Sequence, residues 1–151
     1  MKILFVCTGN TCRSCMAEAI FNNKCTLNNI TAFSAGISIV KGSRASKYSA
    51  ELVLRHFGID ISHREAVQLT KEIIEDADLI LTMTGRIKKY LKDMFGDSQN
   101  SIYTLNEYIG INRDIIDPYG GNIYIYEDTF NQLNESINLL LKKIDGGTGI
   151  F

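Results

Sequence analysis

The chain has 151 residues, 45% hydrophobic and 22% charged, enough for one domain with a substantial core. Its net charge of -1 and pI near 6.1 give no global basic field, so a nucleic-acid partner is excluded and any anion must be bound locally. No segment approaches transmembrane length, and the apolar run Ile3–Val6 is too short for a signal-peptide core, with no cleavage site after it.

The elements alternate along the chain. Lys2–Val6 reads as a buried-type strand. Ser14–Asn28 reads as a helix with Met16, Ala19, Ile20 and Leu27 inward, and Thr31–Ala35 as a second strand ended by Gly36. Ser46–Phe57 is predicted helical and stopped by Gly58, and Thr70–Asp76 is a short helix capped by Thr70. Asp78–Met83 is a third, apolar strand, Arg86–Phe95 a helix ending at Gly96, and Ile102–Leu105 a fourth strand. The last helix, Asp128–Ile144, spaces Phe130, Leu133, Ile137, Leu140 and Leu141 along one face. Beyond about residue 145 the glycine-rich tail is expected to be flexible. This alternation predicts a single α/β domain over residues 1–151, with a parallel sheet and helices on both faces. Ligands of such folds sit beyond the carboxyl ends of the strands.

Cysteines occur at 7, 12, 15 and 25 only, too clustered for a disulfide scaffold. Without a secretion signal they read as reduced thiols of a cytoplasmic protein. Cys12 and Cys15 form one C-x-x-C with no second pair, and His56 and His63 are distant, so no metal is expected. No GxxxxGK[ST] loop or dinucleotide fingerprint occurs, and no cofactor is expected.

The densest chemistry is Cys7-Thr8-Gly9-Asn10-Thr11-Cys12-Arg13-Ser14, directly behind the first strand. A strand-end thiol, a loop of backbone N–H groups, a guanidinium and a helix N-terminus then surround one concavity, which suits a phosphate-like dianion and a nucleophilic thiolate. Arg13 can grip two phosphoryl oxygens with its planar fork. Gly9 is expected to let the loop turn, and Asn10 to adopt a left-handed conformation and tie the loop with its amide. Ser14 can either cap the helix or donate its hydroxyl to Cys7. The other half of the chemistry is a proton for the leaving group. Asp117 precedes Pro118, the only proline, in a loop ahead of the last helix, where a stiffened turn would hold a general acid.

Cys7-x5-Arg13-Ser14, Ser34-Ala35-Gly36, Asp78-Leu79-Ile80-Leu81-Thr82-Met83 and Asp117-Pro118 together resemble the low-molecular-weight protein tyrosine phosphatase family, over nearly the whole chain from Lys2 to about Ile144. The resemblance implies a doubly wound, flavodoxin-like domain of four parallel strands, with no metal or cofactor. It implies a phosphocysteine on Cys7 and phosphoryl binding by Arg13 and by loop amides from Thr8 to Arg13, Cys12 included. Asp117 would protonate the leaving group and then activate water. Asn10, Ser14 and Ser34 would keep the loop in shape. Substrates would be phosphorylated proteins. The protein itself is expected to be a monomer.

Thr11 stands where tyrosine-specific members carry a bulky aliphatic residue, and the segment looks like the protein arginine phosphatase branch. A smaller side chain with a hydroxyl offers less apolar surface to a phenyl ring and can orient a guanidinium or a water. Phosphoarginine is therefore favoured, with phosphotyrosine the alternative. Tyr119 is expected to wall the substrate groove, with Tyr124 and Tyr126 packing or covering its edge. Cys7 and Cys12 can form a protective, reversible disulfide. Cys15 replaces the family's usual proline, loosening the helix start. His63 reads as structural and Cys25 as helix packing. Arsenate reductase is disfavoured because no cysteine follows Cys25. A phosphocarrier would need neither Arg13 nor Asp117, and a pure phosphate-binding module would leave Cys7 idle.

Overall fold

The computed structural model describes residues 1–96 and 101–146. Strands β1 (Lys2–Cys7), β2 (Thr31–Gly36), β3 (Leu79–Thr82) and β4 (Ile102–Thr104) form one sheet in the order β2-β1-β3-β4. Every pairing is parallel, with Cys7 opposite Gly36 and Val6 opposite Thr82. Helices α1 (Arg13–Lys24), α2 (Lys47–Phe57), α3 (Lys71–Asp76), α4 (Gly85–Phe95), α5 (Leu105–Tyr108) and α6 (Ile123–Asp145) cover it. None of the described helices is long and apolar enough to cross a membrane.

The continuous apolar run of β1 is explained by burial on both faces. Ile3 and Phe5 point into a core built with Met16, Ile20 and Phe21 of α1, Leu52 of α2 and Phe130, Leu133, Ile137 and Leu140 of α6. Leu4 and Val6 point the other way, to Ile74 of α3 and Ile87 and Leu91 of α4. The chain runs from β1 out to β2 and then crosses back past β1 to β3. That reversal opens a crevice beyond the carboxyl end of β1, where Cys7 ends the strand.

Helix ends account for most departures from the sequence reading. Helix α1 begins at Arg13 and stops at Lys24, four residues short of Asn28. The Asn22 amide bonds both backbone groups of Ala32 at 2.8 and 2.9 Å, holding the helix end to the free edge of β2, so the chain turns before Leu27 can extend the helix. Leu105 belongs to α5, not to a strand: Thr104 and Glu107 form a reciprocal capping box that starts a helix there. Helix α6 starts at Ile123, five residues before Asp128, because the Asn122 side chain accepts the Ile125 N–H at 3.1 Å. It runs through Asp145, and the expected flexible tail lies, from residue 147 on, outside the described residues.

Candidate functional site

The β1–α1 loop is held from below by one side chain. Asn10 is fully buried and is the only described non-glycine residue with positive φ, at 58°. Its Nδ2 donates to Ser14 Oγ at 2.7 Å and Ser34 Oγ at 3.0 Å, while its Oδ1 accepts from Arg64 Nη1 at 3.0 Å and the Val67 N–H at 2.9 Å. Both donors and both lone pairs of the amide are thus used, which offsets the strained backbone. The Asn10 N–H donates to Cys7 Sγ at 3.2 Å, and Ser14 Oγ lies 2.8 Å from the same sulfur. Ser14 is therefore turned to the thiol and does not cap α1, whose N-cap is Cys12 with no side-chain cap bond.

Ser34 Oγ donates to Glu18 Oε1 at 2.7 Å and accepts from Asn10 and from Arg64 Nη2, the latter at 2.7 Å. Arg64 also pairs with Glu18 at 3.2 Å. Neither Arg64 nor Glu18 was legible as a site residue, since the contacts span 54 and 46 positions and carry no local signal. His63, beside Arg64, is exposed.

The glycine that the loop requires is Gly36, not Gly9. A Cβ at Gly36 would sit 2.6 Å from the Thr8 carbonyl oxygen and 3.0 Å from Asn10 N. Gly9 has no positive φ, and a Cβ there would meet only Thr11 Oγ1 at 3.9 Å. Among the described residues, the N–H groups of Thr8, Gly9, Thr11, Cys12 and Arg13 donate to no protein acceptor. With the start of α1 behind them, they form a cradle of positive dipole ends suited to an anion.

Arg13 is buried, and its Nη1 donates to the Ile115 carbonyl at 3.2 Å. Its Nη2 lies 3.5 Å from Asp117 Oδ2, which is half-exposed. The segment bearing Asp117 is pinned to the fold by Ile115 N–H to the Met83 carbonyl at 3.0 Å and by Thr129 Oγ1 to the Ile116 carbonyl at 3.1 Å. Asp117 Oδ1 accepts the Tyr119 N–H at 3.0 Å, which fixes the carboxylate in its own turn.

Cys7, the loop from Thr8 to Arg13, Asp117 and Tyr119 all line one cavity of about 530 Å³. Ser38, Val40, Ser43, Arg44 and Arg86, which the sequence did not single out, complete its wall. Tyr119 and Val40 are largely exposed at its mouth. Ser34 stays outside the wall, beneath the loop. Tyr124 is exposed, whereas Tyr126 is buried, stacked edge-on against Tyr48, with its hydroxyl 3.3 Å from Cys12 Sγ. Burial, helped by that contact with Cys12, pushes the Tyr126 phenol up to about 12.

All four cysteines are free thiols. Cys15 is buried, and its Sγ donates to the Cys12 carbonyl at 3.3 Å, so it supplies a tether at the helix start where proline would supply rigidity. Burial, with Cys7 close by, pushes its thiol far up. Cys25 is the extended C-cap of α1 and only partly buried. A larger surface cleft, about 880 Å³, lies along α4. Its Lys88 pairs with Glu107 at 2.7 Å and its Asp114 accepts the Gly85 N–H at 3.0 Å, and its lining contains no cysteine.

A nucleophile, an anion cradle with a buried guanidinium, and a carboxylate on one cavity can together bind a phosphoryl group, attack it and move a proton. Comparison with known proteins gives the same direction. Residues 2–147 match the model for the low molecular weight phosphotyrosine protein phosphatases. The protein-arginine-phosphatase of Bacillus subtilis is 38% identical over 147 residues, covering 95% of this chain and 97% of the relative. The low molecular weight protein-tyrosine-phosphatase PtpB of Staphylococcus epidermidis is 39% identical over 138 residues, covering 91% and 95%. A solved structure of the YwlE arginine phosphatase, a C7S mutant with a phosphorylated active-site serine, superposes with a TM-score of 0.91 at 36% identity and covers both chains fully. This chain belongs to the low molecular weight phosphotyrosine protein phosphatase family.

Proposed function

We propose that this protein is a cysteine-dependent phosphatase of phosphorylated proteins, with phosphoarginine the favoured substrate. One observation carries the reading: Asp117, about a hundred residues further along the chain, lines the same cavity as Cys7 and Arg13, with the unpartnered N–H groups of the loop between those two.

In this mechanism the substrate's phosphoryl oxygens sit on the N–H groups of Thr8 to Arg13 and on the Arg13 fork. Cys7 Sγ attacks phosphorus, forming the P–S bond. The bond from phosphorus to the guanidino nitrogen breaks, and that nitrogen takes the proton from the Asp117 carboxyl. Water then attacks the phosphocysteine. Asp117, now a carboxylate, accepts the water's proton, the P–S bond breaks, and inorganic phosphate leaves. Asn10, Ser14 and Ser34 keep the loop in the geometry this requires. Tyr119 forms the outer wall of the groove.

Thr11 lines the cavity and carries the preference for phosphoarginine. The relatives named protein-arginine-phosphatase, 38 and 40% identical, support it. Relatives named PtpB, 39 to 41% identical, support phosphotyrosine as the second reading. We further infer one phosphatase domain over 1–151, acting as a monomer in the cytoplasm without a cofactor and with no nucleic-acid or membrane partner. There, oxidation joins Cys7 and Cys12 in a disulfide that shields the nucleophile. The four free thiols fit a reducing compartment.

The test is kcat/KM on two matched peptides, one carrying phosphoarginine and one phosphotyrosine, under reducing conditions with Cys7→Ser as blank. The expected result is at least a tenfold preference for phosphoarginine, lost in Thr11→Ile. A preference for phosphotyrosine removes the role given to Thr11. Turnover of neither peptide above the blank removes the phosphatase reading.

A further inference from the structure

The cavity holds more positive charge than its chemistry uses. Its wall includes three arginines, Arg13, Arg44 and Arg86, and one carboxylate, Asp117. Arg13 and Asp117 are paired with each other at the inner end. The phosphoryl group is already supplied there with Arg13 and a row of backbone N–H donors. Arg44 and Arg86 are exposed, and neither guanidinium makes an ion pair or hydrogen bond with a described residue. By contrast Arg55 and Arg64 are each matched to carboxylates. A solvated arginine is ordinary on a surface, and Arg113 is one. Two converging on a single cavity mouth are a local field, on a chain whose overall charge is -1.

Topology sets where the two stand. Arg44 lies in the connection after β2, and Arg86 is in the first turn of α4, after β3. β2 and β3 flank β1 on opposite sides, and the Cys7 loop follows β1. The arginines therefore come from connections on either side of the loop that receives the phosphorylated side chain. A peptide laid across this mouth would bring its flanking side chains to both.

We propose that Arg44 and Arg86 are specificity determinants that select phosphorylated residues flanked by Asp or Glu. The proposal rests on the phosphatase reading above and names the class of protein it acts on: phosphorylated sites in acidic sequence. An acidic flank meets the two unmatched guanidinium groups, whereas a basic flank faces like charge in a partly enclosed cavity.

The experiment uses the full chain and two phosphoarginine peptides differing only in the residues on each side of the phosphorylated position, Glu in one and Gln in the other. The readout is the ratio of their kcat/KM values, in which any general effect of a substitution cancels. Exposed ion pairs of this kind are worth about threefold each, so at low salt the ratio should be about tenfold. It should fall to about threefold in Arg44→Gln or Arg86→Gln and to about one in the double variant. Raising the salt from 0.05 to 0.3 M should shrink the wild-type ratio toward one, because these pairs are open to solvent. A wild-type ratio near one overturns the proposal, as does a tenfold ratio that survives in the double variant. Failure of the wild type to hydrolyse either peptide, or even a small aryl phosphate, overturns the reading of the site itself and is thereby distinguishable.

Discussion

Removing Arg64 tests whether the loop is positioned from beneath. In Arg64→Met, Asn10 Oδ1 loses one of two partners, Ser34 Oγ loses its 2.7 Å donor, and Glu18 loses its counter-charge. The pair is mostly buried, at 18 and 25% side-chain exposure. Breaking a fully buried pair from one side costs about 3–5 kcal/mol, and the access of Glu18 to water places this case near 3 kcal/mol. For a domain of this size that lowers Tm by about 6–12 °C. Asn10 holds its positive φ only while its amide is fully engaged, so the loop N–H groups should lose alignment as well. We expect kcat/KM to fall at least tenfold and the inhibition constant of inorganic phosphate to rise in step, measured well below both melting temperatures. Arg64→Lys, which keeps the charge for Glu18 but cannot serve Asn10 and Ser34 together, should recover more stability than phosphate affinity. A lowered Tm with phosphate inhibition unchanged would reduce Arg64 to a structural role. An unchanged Tm would refute the argument from burial.

Two further outcomes follow from the same geometry. Gly36→Ala places a methyl group against the Thr8 carbonyl and Asn10 N, both backbone, so the loop must shift; activity should drop at least tenfold with a stability loss of about 1–3 kcal/mol, whereas Gly9→Ala should keep the fold's stability within about 0.5 kcal/mol, both read by urea denaturation. Burial raises the Cys15 thiol above its ordinary 9.0, so above about pH 9 the unfolded chain releases a proton that the native chain retains. Stability should therefore decline with rising pH from there, by at most about 1.4 kcal/mol per pH unit from this group. Cys15→Ala should flatten that decline in urea midpoints between pH 8 and 10, and parallel curves for the two proteins would contradict it.

What the sequence displayed and what it hid divide along physical lines. The sheet was readable because β1 and β3 are apolar on every residue but Lys2 and Thr82, which only strands covered on both faces require. The Cys7–Ser14 segment was readable because its chemistry is contiguous: a thiol, a glycine-bearing loop and a guanidinium within eight residues of one strand end. Asn10 announced its own conformation, since an amide in a tight loop is the side chain best able to tolerate positive φ. Two helix starts were hidden although their signals were local. Thr104-Leu105-Asn106-Glu107 is a capping box, but it abuts a three-residue strand and reads as its continuation. Asn122 caps α6, but Tyr-Ile-Tyr behind it is β-prone, and the long apolar face of α6 overrides that propensity. The support under the loop was hidden for a different reason. Arg64 lies in the connection between α2 and α3 and Glu18 on α1, each an ordinary charged residue in its own segment, and only the crossing from β2 to β3 brings Arg64 under the β1–α1 loop. Their function lies in a coincidence of distant segments, which periodicity and spacing do not encode. The same holds at the mouth, where Arg44 and Arg86 gain meaning from the two strands that carry them to opposite sides of Cys7. In this fold, then, the groups proposed to touch phosphorus are contiguous or marked by a proline, whereas those that position the loop or face the flanks of a substrate are set by topology alone.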